Sequence, residues 1–366
     1  MNPRENLLSL YRRQGYEAAP VHLNLCPKQE AAFREKYGAQ ARYDEVFEFP
    51  MRVITDPGFP WIAEIDGFVP AREWNRSLYY DPPIANNARL DIWGIAHEPG
   101  GQATHHMTHM RHPLERLASL EQFQSYPWPD FEKADWSFLV PAIDAIHAKG
   151  LAAQVWMECT IWEIAWYMRR MDLLMTDMAL EDEKAVFLLD KITALACLRI
   201  RKYAEAGADI IAVGDDVGMQ QSMMMSRDMY RAWLKPRLAR VIRTAKAVNP
   251  GLIIQYHSCG FITPLIPDLI EAGVDVLNPV QPECMGFAGI HAEFKTKLSF
   301  NGTLGTQTTL PFGTPAQVRQ EVFRNLGIAG ERGGLLCCPT HMVEPEVPWE
   351  NIEAYLKACR EFKPPA

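Results

Sequence analysis

What this sequence lacks narrows its chemistry first. It has no G-x-x-x-x-G-K-[ST] phosphate cradle, no strand-linked G-x-G-x-x-G turn and no G-x-S-x-G elbow. These absences argue against nucleotide, dinucleotide and serine-hydrolase use. Its eight cysteines are scattered, at positions 26, 159, 197, 259, 284, 337, 338 and 359, with no C-x-x-C pair. In a long chain that spacing favours reduced thiols over a disulfide framework. Positive charge is also short: 37 Lys and Arg stand against 45 Asp and Glu, a net charge of −8 over 366 residues. A nucleic-acid backbone or an anionic membrane is therefore not an expected partner, and a polyanionic substrate would need a local basic pocket. No apolar run reaches membrane-spanning length. The charged opening MNPRENLLSLYRR reads against a secretory leader, so the expected compartment is the cytoplasm.

What is present is a soluble, core-forming composition, 48% hydrophobic and 22% charged. Eight short apolar runs read as strands: 20–25, 89–93, 152–157, 209–214, 252–257, 274–279, 298–302 and 334–338. Most are continuous rather than alternating, as strands buried on both faces of a parallel sheet are. Helical segments at 177–206, 226–248, 314–326 and 351–362 lie between or after them, with Ser226 and Thr314 placed as caps. Alternation of this kind implies right-handed crossovers. The expected fold is α/β, a single (β/α)8 TIM barrel over residues 1–366. The stretches 44–88 and 94–135 are expected as elaborated loops over its C-terminal mouth.

Strand carboxyl ends converge at such a mouth. The run LIIQYHSCG (252–260) places His257 and Cys259 two residues apart, on one side of an extended chain. An imidazole beside a thiol is half a zinc site, although a buried Cys next to a hydrogen-bonded His is the plainer alternative. His341, in CCPTHMV, would complete three ligands, with Cys337 and Cys338 competing for the place. Other strand ends supply Asp91, Glu158, Asn278 with Gln281, and the pair Asp215-Asp216, of which one must face the mouth and the other away. That pair also suits a loop cap. The cluster His105-His106-x-x-His109-x-x-His112 reads as a lid or a solvated surface, because a metal site needs ligands held in advance.

These residues resemble the uroporphyrinogen decarboxylase superfamily from about Pro20 to Phe362. The resemblance is carried by AGADIIAVGDDVGMQ (206–220), SRDMYRAWLKPRL (226–238), YHSCGFITPLIPDLIEAGVDVLNPVQP (256–282), FNGTLGTQTTLPFGTPAQV (300–318) and GGLLCCPTHMVEPEVPWENIEA (333–354). It implies the barrel and one of two chemistries. Metal-free decarboxylases of the family use an aspartate, matched by Asp91 in LDIWG, a tyrosine matched by Tyr167, and a histidine matched by His341. They also carry an arginine-bearing segment after the first strand, and PVHLNLCPKQEAAF (20–33) has no arginine. A porphyrinogen with eight carboxylates needs such charge-assisted partners.

The other branch, cobalamin-dependent methyltransferases with a zinc motif H-x-C and a distant Cys, is matched at His257 and Cys259, with His341 where the distant Cys would stand. The expected function is zinc-assisted methyl transfer to or from a corrinoid on a separate protein, since the chain lacks a D-x-H-x-x-G corrinoid signature. In that scheme His257, Cys259 and His341 hold zinc, while Asp216, Asp91, Tyr167 and Glu158 do catalytic work. Asn278, Gln281, Gln307 and Trp93 contact a small-molecule substrate. Decarboxylation of a porphyrinogen or smaller acid is the alternative, a non-catalytic binding barrel is a third reading, and an oligomer is possible.

Overall fold

The structure is a computed structural model that describes residues 1–62, 68–69, 75–100 and 107–364. Its frame is a curled, half-barrel sheet of seven parallel strands: β1 (Met51–Thr55), β5 (Ala152–Trp156), β6 (Ile210–Gly214), β7 (Ile253–His257), β8 (Val276–Asn278), β9 (Ser299–Asn301) and β10 (Leu335–Leu336). They lie side by side in chain order. A smaller antiparallel sheet joins β2 (Arg89–Leu90), β3 (Ala96–Pro99) and β4 (Thr108–Arg111). Strand β6, IIAVG, is buried at every position, and β7, IIQYH, at every position but its last. Continuous apolar runs allow this because helices cover the sheet. The longest helix, Glu183–Glu205, packs along the helix Lys235–Val248.

Six of the eight expected runs supply β5 to β10, and two are corrected. The run 89–93 gives only β2, in the antiparallel sheet, because Asp91 folds the chain back by accepting the amides of Trp93 and Ile95. The run 20–25 makes a single parallel bridge, Leu25 to Val343. The first strand of the main sheet is instead Met51–Thr55, inside a stretch expected to be loop. It is an edge strand, with Val53 41% exposed, so its sequence carries no continuous apolar signature. Among the described residues no ladder joins β10 back to β1, and no helix is long and apolar enough to cross a membrane.

Caps fix the helix starts. Thr314 and Gln317 form a reciprocal capping box ahead of Pro315–Ala329, and Ser226 caps Arg227–Trp233. Off the sheet, Asp268 in the helix Ile266–Ala272 is fully buried beneath Arg227, Arg231 and Lys235, each at 2.7 Å. Burial alone would raise its pKa, but the hydrogen bonds from Lys235, Arg227 and Arg231 outweigh it and hold the carboxyl at about 2. The unfolded value is about 3.9, so the stabilisation is complete above pH 4 and is lost as pH falls toward 2. Asp268→Asn should cost about 3 kcal/mol at neutral pH, and its deficit in urea unfolding should shrink below pH 4. A deficit that does not change with pH contradicts this.

Candidate metal and substrate site

The site grows from the register of neighbouring strands. His257 sits level with Gly214 of β6 on one side and Asn278 of β8 on the other. A Cβ at position 214 would lie 2.3 Å from the His257 carbonyl oxygen, so glycine is what lets the end of β6 approach β7. One step further, a Cβ on Gly260 would meet the Gly218 backbone at 2.6 Å, and Gly260 itself has φ +82. The two loops thus run in backbone contact and carry Asp216 to Cys259.

Beyond β6 the adjacent acids part company. Asp215 turns inward, 5% exposed, and accepts the amides of Ile161 and Glu163 at 3.0 Å, capping the helix Trp162–Arg169. Asp216 turns to the mouth. Its Oδ1 accepts the Cys259 amide at 2.7 Å and lies 3.6 Å from His257 Nε2. The Cys259 sulfur is 3.5 Å from the same nitrogen. One ligand atom each from Asp216, His257 and Cys259 falls within 4.8 Å of the other two. Nitrogen, sulfur and carboxylate oxygen form a donor set that fits zinc.

The imidazole is held from behind. Asn278 donates through Nδ2 to the carbonyl and side-chain oxygens of Asn301, at 3.0 and 3.2 Å, which leaves its Oδ1 to face His257 Nδ1 at 2.7 Å. That fixes the proton on Nδ1 and turns Nε2 toward the thiol and the carboxylate. Asn301 is itself tied to Tyr11 and Gln255. Burial pulls the His257 pKa down, but Glu158 (Oε1 3.9 Å from Nδ1), the Cys259 sulfur and Asp216 outweigh it and hold it well above the ordinary value. Burial raises Glu158 as well.

Glu163, which the sequence reading passed over, lies behind this group. Its Oε2 accepts the Asp216 amide at 3.1 Å and its Oε1 accepts the Tyr167 hydroxyl at 2.7 Å. Burial, with Asp216 and Asp215 close by, pushes its pKa up to about 8, and burial pushes Asp215 up to about 7. The readable sign was an acid in the otherwise apolar WEIAWYM, one helical turn before Tyr167.

Cys259 opens onto a cavity of about 380 Å³ whose wall includes Gln281, Gln307, Thr340, His341 and Glu344. Gln281 accepts the Gly260 amide at 3.0 Å, and Gln220 donates to Gln307 at 3.0 Å. Several expected roles change here. His341 stands exposed in the cavity wall and is not one of the three clustered ligands; Asp216 is. The rival ligands are occupied elsewhere: Cys338 donates to Asn301 Oδ1 at 2.9 Å and Cys337 accepts from Thr303, both buried. Asp91 is 1% exposed, with its oxygens taken by Trp93, Ile95 and His97, so it presents nothing to a substrate. Trp93 is fully buried, donating to the Gly58 carbonyl. Tyr167 is hydrogen-bonded to Glu163 and Asn278 to His257, so both stand behind the cluster. Of the histidine cluster, His105 and His106 lie outside the described residues, and His112 bonds the Tyr167 carbonyl.

The family model for uroporphyrinogen decarboxylase (URO-D) matches residues 108–362, and the chain belongs to that family. It is 27% identical over 174 residues to the methylcobamide:CoM methyltransferase MtaA of Methanosarcina barkeri, covering 48% of each protein. It is 26% identical over 190 residues to the uroporphyrinogen decarboxylase of Chlorobium limicola, covering 50% of each. The chain thus spans about half the length of these curated relatives. A solved methyltransferase from Methanosarcina mazei shares the fold, with a TM-score of 0.67 at 18% identity over 99% of both chains.

If Asn278 sets the imidazole, Asn278→Leu should weaken zinc binding about 10–100-fold while the circular dichroism spectrum stays unchanged. Competition against a chromophoric chelator measures this. An unaltered affinity contradicts the role.

Proposed function

We propose that this chain is a methyltransferase that passes a methyl group between a small molecule and a corrinoid carried by a separate protein. Zinc would be held by Asp216, His257 and Cys259. The observation that carries the proposal is the convergence of an imidazole, a thiol and a carboxylate on one point beside an open cavity. The printed activities of the methyltransferase relatives, on methylcobamides and methylated thiols with coenzyme M, agree with it. When bound, zinc supplies the Lewis acidity that keeps a substrate thiol deprotonated near neutral pH.

The chain's own residues do the rest. Asn278 and Glu158 orient His257, and Glu163 anchors the Asp216 backbone. The Cys259 amide holds one oxygen of Asp216. Gln281 braces the turn at Gly260, and Gln307 and His341 line the space where the small molecule would sit. Decarboxylation is the weaker reading. Its aspartate, Asp91, is sealed in the core, and among the described residues no Arg or Lys lines the cavity to grip a polycarboxylate.

Purified protein is expected to bind one zinc per chain, and His257→Ala and Cys259→Ser should each lower that affinity by about 100-fold or more. With methylcobalamin as methyl donor and a small thiol as acceptor, the zinc-loaded protein should release cob(I)alamin, followed by its absorbance. Uroporphyrinogen should be returned unchanged. Loss of carboxyl groups from uroporphyrinogen by the metal-free protein overturns the proposal.

A further inference from the structure

Two loops meet above Cys259. The strand order puts β7 and β8 between β6 and β9. Neighbouring strands lie about 4.8 Å apart, so the ends of β6 and β9 stand roughly 14 Å apart along the sheet. Yet Gln220, beyond β6, donates through Nε2 to Oε1 of Gln307, beyond β9, at 3.0 Å. That bond passes over the ends of β7 and β8, whose following residues Cys259 and Gln281 line the same cavity. Both bridging glutamines are exposed, whereas Gln281 and Thr340 are buried and Cys259 is half-buried. The pair therefore lies between solvent and the thiol.

The backbone is anchored on each side. Gln220 sits at the tip of a hairpin closed by the Met219 amide on the Ser222 carbonyl, at 2.7 Å, and by a bridge between Gly218 and Met223. On the other side Glu283 Oε1 accepts the Gln307 amide at 3.1 Å and the Thr308 hydroxyl at 2.9 Å. A Cβ on Gly305 would lie 2.6 Å from that oxygen, so glycine lets the loop settle on the carboxylate. The hydroxyls of Thr306 and Thr340 meet at 3.1 Å. With both loops held, the crossing bond opens by side-chain rotation alone, and water competes for it.

We propose that Gln220 and Gln307 form a gate over Cys259 that selects by width. A slender, unbranched molecule such as a short alkyl thiol passes the joined side chains, and a branched or ring-bearing one waits for them to part. Glu283 is a positioning residue that holds Gln307 in place. This rests on the reading above that the cavity admits the methyl-exchanging molecule. A corrin brought by a partner protein is wider still and meets the cavity with the glutamines swung aside.

Cys259 reports the gate without metal or turnover. Cys284 is the only other part-exposed cysteine, so the full-length Cys284→Ser protein, stripped of metal, is treated with two uncharged methanethiosulfonates, one methyl and one benzyl. Rates at Cys259, mapped by mass spectrometry, are divided by those of free 2-mercaptoethanol. The normalised benzyl rate should fall about tenfold below the methyl rate. Gln220→Ala and Gln307→Ala should each raise the benzyl-to-methyl ratio roughly fivefold, as loss of one hydrogen bond allows. Glu283→Ala should raise it as well, and Glu283→Gln, which keeps an acceptor for the Gln307 amide, should hold it at the parent value. A parent ratio near one, or a ratio unmoved in Gln220→Ala or in Gln307→Ala, overturns the gate. Equal ratios in Glu283→Ala and Glu283→Gln overturn the role of Glu283. Zinc stoichiometry on the same preparations separates the two claims. Zinc binding without width preference removes only this inference, and width preference without zinc binding removes only the proposed function.

Discussion

The mouth of this sheet depends on two strand ends passing at backbone contact. Gly214, Gly218 and Gly260 are the positions where a Cβ would collide with the neighbouring main chain. Because nothing intervenes there, the chain after β6 delivers Asp216 onto the amide of Cys259. The same contact sets the spacing of carboxylate, thiol and imidazole. A larger residue at any of the three glycines would separate the loops and scatter the donors, however intact the individual side chains remained.

Electrostatics completes what backbone geometry begins. Four carboxyl groups, from Glu158, Glu163, Asp215 and Asp216, gather near one histidine, and a buried group of that sign is costly unless compensated. The protein meets the cost in two ways. Glu163 and Asp215 are raised toward neutrality by burial, while Asp215 also feeds on the amide hydrogens at a helix start. The residual negative charge faces His257 and the open cavity. A divalent cation suits that remainder, which is why the metal proposal draws on this field.

Much of this was legible in the sequence, and the failures have physical causes. Continuous apolar runs identified β5 to β10, because strands buried on both faces must be apolar throughout. β1 escaped because an edge strand with Arg52 and a half-exposed Val53 has no such signature. The period of two placed His257 and Cys259 on one side and set Asp215 against Asp216. It could not reveal which third group joins them, since that depends on where distant loops travel. Thr340 is hydrogen-bonded to Leu304, and this pairing carries His341 to the cavity wall rather than to the cluster. Asp91 and Trp93 looked like mouth residues because they follow an apolar run, but that run ends in a tight turn that buries both. The family resemblance, read from five segments, is what the family match over residues 108–362 shows.

X-ray absorption at the zinc edge of the loaded protein addresses the central claim most directly. Coordination by Cys259, His257 and Asp216 predicts one sulfur neighbour at about 2.3 Å with the remaining nitrogen and oxygen neighbours at about 2.0–2.2 Å. The sulfur shell should vanish in Cys259→Ser and survive in His341→Ala. A shell without sulfur, or one that collapses when His341 is removed, would contradict the account.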